Sequence, residues 1–66
     1  MCLLKVYLEG EEAARRFIAE DVALILKKDG KIRIRNVDFE EKTLNNVDIV
    51  EIDALNSIVL LRKEEE

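Results

Sequence analysis

Apolar and polar residues alternate with a period of two along most of this chain, the pattern of strands that bury one face. Cys2, Leu4, Val6 and Leu8 fall on one side of an extended first segment and Leu3, Lys5 and Tyr7 on the other. Glu9-Gly10-Glu11-Glu12 then ends it as a turn. Residues 13–19 carry two signals: Ala-Ala-Arg-Arg favours a helical turn by propensity, while Phe17-Ile18 suits a short strand, the reading adopted here. Val22 to Lys27 is a second run of aliphatic strand formers. Asp29-Gly30 follows, a pair that tolerates the positive φ angles of a tight hairpin turn. Lys31-Ile32-Arg33-Ile34-Arg35 alternates strictly, with the isoleucines predicted inward and the cations outward. Residues 36–40 read as a loop, 41–47 as a polar strand with a bulge or turn at Asn45-Asn46, 48–53 as a strand, and 54–57 as a turn. Ile58 to Leu61 is the last predicted strand, followed by a charged tail, 62–66, expected to fray.

Six or seven short strands at regular spacing predict an all-β fold, a small antiparallel barrel or roll of the Sm-like or SH3-like kind. No linker, repeat or low-complexity segment interrupts the sequence, so residues 1–66 are read as a single domain. A roll this small leaves exposed strand edges, and pairing them across a two-fold axis removes the edges and thickens the core. A homodimer is expected on that ground.

Composition narrows the function. The chain has 66 residues, 15 acids against 11 bases, no histidine and one cysteine. A chain near this length buries only about 60% of the surface its unfolded form exposes, so its core is thin. A lone cysteine forms no internal disulfide. Without an imidazole, Ser/His/Asp and Cys/His catalysis and the HExxH metal site are excluded, and the chain is not expected to be an enzyme. The longest apolar run, Val22 to Leu26, falls far short of the ~20 residues of a membrane helix. No secretory signal pattern opens the sequence, which reads as cytoplasmic with a reduced thiol.

Charge is unevenly spread. Lys27, Lys28, Lys31, Arg33 and Arg35 face only Asp29 within their segment, although the whole chain is at −4. On a strand Lys31, Arg33 and Arg35 project from one face about 6.6–6.8 Å apart, a spacing suited to RNA phosphates, while the plainer reading is a solvated hairpin face matched by neighbouring acids. Aromatic stacking partners for bases are scarce, since Tyr7, Phe17 and Phe39 do not line one strand face. The acidic pairs Glu11/Glu12, Glu20/Asp21 and Glu40/Glu41 are neighbours in sequence and point to opposite faces of a strand, so none converges by itself.

Cys2 is the one soft donor. A thiolate at this position chelates through sulfur and the backbone nitrogen of the same residue, and that nitrogen becomes a free amine if Met1 is removed. Such an N/S set favours late divalent ions, Ni²⁺ or Cu²⁺, over hard ions. One chain supplies too few donors, and two Cys2 thiolates meeting across a dimer axis complete a site. Against this stands plain packing, because Cys2 is in phase with Leu4, Val6 and Leu8 and cysteine often serves as a small buried hydrophobe.

Met1-Cys2-Leu3-Leu4-Lys5-Val6-Tyr7-Leu8, with Glu20-Asp21-Val22-Ala23-Leu24-Ile25, Asp29-Gly30-Lys31-Ile32, the 47–53 segment and Ile58-Val59-Leu60, resembles the CooT family of small nickel-binding proteins over nearly the whole chain. The Met-Cys start alone is also similar to the HypC hydrogenase maturation chaperones. Sequences of this kind have been labelled predicted RNA-binding proteins as well. The resemblance implies an Sm-like homodimer that binds Ni²⁺ through Cys2 and serves a nickel enzyme such as carbon monoxide dehydrogenase. Val37-Asp38-Phe39-Glu40 departs from the Leu-Phe-Gly-Glu-like loop of the family in lacking glycine. Three functions therefore stand: a nickel metallochaperone using Cys2, an RNA-binding module using Lys31, Arg33 and Arg35, and a structural or protein-interaction domain.

Overall fold

A computed structural model describes residues 3–64. Its strands are β1 (Leu4–Glu9), β2 (Arg15–Lys28), β3 (Lys31–Asn36), β4 (Glu41–Asn45), β5 (Val47–Asp53) and β6 (Ile58–Lys63), with a single 3₁₀ turn at Glu11–Ala13. They form one six-stranded sheet in the order β4-β3-β2-β1-β6-β5.

The segment expected as two strands is one. β2 runs for 14 residues because Glu20-Asp21 bends the chain instead of ending the strand. Asp21 takes a left-handed φ of 54°, which aspartate tolerates better than a β-branched residue does. The first half of β2 pairs antiparallel with β1 and the second half antiparallel with β3, so one bent strand supplies both ladders. The hairpin into β3 forms as the sequence predicts: Asp29 and Gly30 have φ of 53° and 75°, the two positive angles of a primed turn, and Lys28 faces Lys31.

Two features correct the expected antiparallel barrel. β1 and β6 lie side by side in parallel, so the sheet is mixed. It is also not closed: β4 and β5 sit at opposite ends of the strand order, although only Asn46 separates them in sequence. A single residue is too short for the two-residue turn of a hairpin. Asn46, at φ 58°, makes a corner instead, its N–H donating to the Gly30 carbonyl at 2.9 Å while its own carbonyl accepts from Glu64 N–H at 2.7 Å. The sheet ends thus meet at a point without sharing a ladder. Arg62 and Lys63, expected in the tail, are the last residues of β6.

One face of the sheet carries the core: Val6, Val22, Ile32, Ile34, Val47, Val59 and Leu61 are buried together. Every strand but β4 contributes to it, and the isoleucines of β3 point inward as their alternation requires. On the opposite face Leu60 is buried beside Tyr7, whose ring meets Phe17 edge-on with centroids 5.9 Å apart. Next to that apolar row the register sets Arg15 against Glu9, Glu9 against Arg62 and Arg62 against Asp48, an alternation of sign across four strands.

The loop between β3 and β4 is held by its first residue. Asn36 Oδ1 accepts from the N–H of Asp38 at 2.9 Å and of Glu40 at 3.0 Å, and Asn36 Nδ2 donates to Glu40 Oε1 at 2.8 Å. This bracing holds Phe39 at φ 63° with 78% of its surface exposed, so the left-handed conformation that glycine favours is kept without glycine.

Two stability changes follow. Ile32→Ala removes a fully buried side chain from a core with few others, and urea denaturation at fixed protein concentration is expected to show a loss of about 3 kcal/mol. Phe39→Gly relieves the left-handed backbone and gives up little packing, so the same measurement should show unchanged stability or a gain of up to about 1 kcal/mol.

Candidate functional site

The described part of β1 starts where three elements meet. Leu4 pairs with Val22 just past the bend of β2, and Lys5 N–H donates to the Ser57 carbonyl at 2.9 Å in the β5–β6 turn. The N-terminal end of the sheet is therefore anchored between β2 and that turn. Cys2, the metal ligand expected from the sequence, lies outside the described residues. Among the described residues no three carboxylates converge as a metal-binding group.

The basic strand is placed as its alternation predicts, and its charges divide. Arg35 Nε and Nη2 both donate to Glu41 Oε2, at 2.9 and 2.7 Å, and Arg33 Nε lies 3.8 Å from the other oxygen of Glu41. One β4 carboxylate thus serves two of the three cations. The Arg35 hydrogen bonds hold the Glu41 carboxyl below its ordinary range. Lys31 faces Lys28 on one side and Asn45 on the other, and no ion pair of the described residues includes it. Lys27 reaches instead to Asp48 at the start of β5; that bond raises the ammonium and lowers the carboxyl, the Ile49 N–H adding to the second effect.

The acidic pairs do not converge on their own, but the fold collects them. A groove beside the bend is lined by Glu20, Asp21, Asp38, Glu40 and Glu41 together with Lys42. Lys42 Nζ donates to the Ile18 carbonyl at 2.7 Å. Sequence reasoning missed this grouping because it depends on the bend at Asp21, where the Val37 N–H donates to the Asp21 carbonyl at 3.1 Å and draws the β3–β4 loop against β2. The positive φ of an Asp inside an aliphatic strand leaves no mark in the hydropathy pattern.

These features define a small all-β protein whose described residues carry ion pairs and exposed charge clusters. The family model for CooT, the CO dehydrogenase accessory protein, matches residues 1–62. The chain belongs to the CooT family: it is an accessory protein of CO dehydrogenase maturation and not a catalyst. A crystal structure assigned to CooT from Carboxydothermus hydrogenoformans shares the fold, with a TM-score of 0.85 over 97% of this chain and 100% of that one at 14% identity. No curated protein matches the chain in sequence. No helix among the described residues is long and apolar enough to cross a membrane.

The ion pairs give stability a defined pH dependence. Glu41 and Asp48 are lowered from ordinary values of 4.5 and 3.8, so what they contribute is present above those values and is lost as pH falls through the lower folded ones. Lys27 is raised from 10.5, so its contribution is present below that value and is lost as pH rises through the higher folded one. The urea midpoint should therefore decline toward about pH 3 and again in strong alkali. Arg35→Ala is expected to flatten the acid limb, and Asp48→Asn both limbs.

Proposed function

We propose that this protein carries Ni²⁺ on Cys2, as a homodimer, for insertion into CO dehydrogenase. The observation that carries the reading is the family match, which begins at Met1 and so includes the chain's single cysteine. The ion is cargo, and the donor chemistry suits it: a thiolate and a main-chain nitrogen from the same residue form a soft chelate that prefers nickel or copper to magnesium or calcium. Two such chelates complete a four-donor N/S set, which requires two chains, each bringing its N-terminus to a common place. The anchored start of β1 supports this, since Leu4 is fixed to Val22. A cargo site also has to release its metal, and a chelate formed by the thiolate and main-chain nitrogen of one residue suits transfer by ligand exchange.

Addition of Ni²⁺ to the reduced protein is expected to produce thiolate-to-nickel charge-transfer absorption, with one ion per two chains in the native mass spectrum. Cys2→Ser should abolish both signals. Equal nickel uptake by that variant would remove Cys2 from the site.

A further inference from the structure

The described sheet has two edge strands, and they are protected unequally. β4, at one end of the strand order, is five residues long and sets Lys42 opposite buried Ile34, its Nζ donating to the Ile18 carbonyl at 2.7 Å. A short edge with an inward-facing lysine is a common defence against pairing with another chain. β5, at the other end, has no such residue: 43–61 hold no lysine, arginine or proline, and the acids there are Asp48, Glu51 and Asp53.

The first half of β5 is closed off by its own contacts. The Ile49 N–H donates to Asp48 Oδ1 at 2.8 Å, Lys27 of β2 binds Asp48, and a bulge at Val50 breaks the register between Ile49 and Glu51. Beyond the bulge, Val50–Asp53 is open. Val6, Val59 and Ile52 form one row across β1, β6 and β5; the first two are buried while Ile52 is 64% exposed, so a row of the core runs unfinished off the edge. Val50 is also exposed, and Leu55 in the following turn is 93% exposed. The acids alternate with Ile52 and lie on the other face. Glu51 meets Arg15 at 3.7 Å with both side chains well exposed, a pair worth little, and Asp53 bonds to the neutral Asn56 side chain, so this part of the edge stays negative.

The outward N–H and C=O groups of an edge strand are matched in full only by another extended polypeptide. We infer that Val50–Asp53 accepts an extended segment of CO dehydrogenase as a seventh strand. The alternation of β5 dictates its chemistry: an apolar residue beside Ile52 to continue the core row, flanked by lysine or arginine beside Glu51 and Asp53. A second β5 does not meet this need, since it brings three more acids and no base. The choice of partner rests on the proposed function. The turn after Asp53 holds the start of β1 through the Lys5–Ser57 hydrogen bond, so a segment on this edge reaches the end of the sheet from which the metal is to be passed.

The probe is nickel-free CO dehydrogenase with metal-free wild type or variant, so nickel binding does not enter the result. On adding the enzyme, amide hydrogen exchange should slow at 50–53 and stay unchanged at 41–45, on the other edge. Ile52→Lys and, separately, Glu51→Lys should each weaken binding to the immobilised enzyme by roughly tenfold or more, with unchanged circular dichroism and unchanged sedimentation. Rising salt should weaken the wild-type complex. Cys2→Ser, which tests the nickel reading, should bind like the wild type, so either reading can fail alone. No binding by the wild type, binding without protection of 50–53, or full affinity in both folded variants would overturn the docking edge. A changed oligomeric state in Ile52→Lys would overturn it too, by giving the edge to a second copy.

Discussion

The architecture depends on one strand being able to bend without ending. β2 is long enough to pair with β1 in its first half and β3 in its second, and the change of direction is made at Asp21 in the left-handed region. A β-branched residue there would face a steric cost on the order of 1–2 kcal/mol, whereas aspartate is among the residues that enter αL most readily. Had the strand ended at Glu20-Asp21, the β1–β6–β5 and β3–β4 sides would have been separate sheets, each holding only part of the core. Joined through β2 they share one core, in which Val22 from just past the bend packs with Val6 of β1 and with Ile32 and Ile34 of β3. The bend also draws the β3–β4 loop against β2 and gathers the acids into one groove.

The thin core explains why charge is organised with such regularity. With eight buried hydrophobic side chains among the described residues, the fold draws little on hydrophobic burial, and exposed ion pairs add only fractions of a kcal/mol each. Their value lies in register. The alternation Arg15, Glu9, Arg62, Asp48 across β2, β1, β6 and β5 marks this alignment, since a shift by one residue would turn charges to the core face and a shift by two would set Glu9 against Leu60. The parallel β1–β6 pair, which no short turn can fix, has the greatest need of such marking; the Arg62–Glu9 contact at 2.7 Å supplies it.

Local features were legible in the sequence, and features that depend on distant contacts were not. Asp29-Gly30 specified its hairpin because a two-residue turn with two positive φ angles admits few residue pairs. Ile32 and Ile34 were readable as core because alternation on a central strand fixes the buried face. The parallel pairing of β1 with β6 joins residues more than fifty positions apart, and nothing in either strand distinguishes a parallel from an antiparallel neighbour. The Asn46 corner was half visible: Asn45-Asn46 signalled a break, but a bulge, a hairpin and a corner share that signal. The acids at 20–21 and 40–41 read as separate pairs in the sequence, and only the bend brings them together with Asp38 in one groove. Cys2 is the reverse case, a residue whose chemistry is legible while its place lies outside the described residues.

What the structure adds to that chemistry is a reason for doing it at a terminus. A chelate built from the first residues, as proposed for nickel, makes no demand on the core, which has no volume to spare for a buried polar site. It asks of the fold only that the start of β1 be held firmly, and the sheet meets that demand through the Leu4–Val22 pair and the Lys5–Ser57 hydrogen bond.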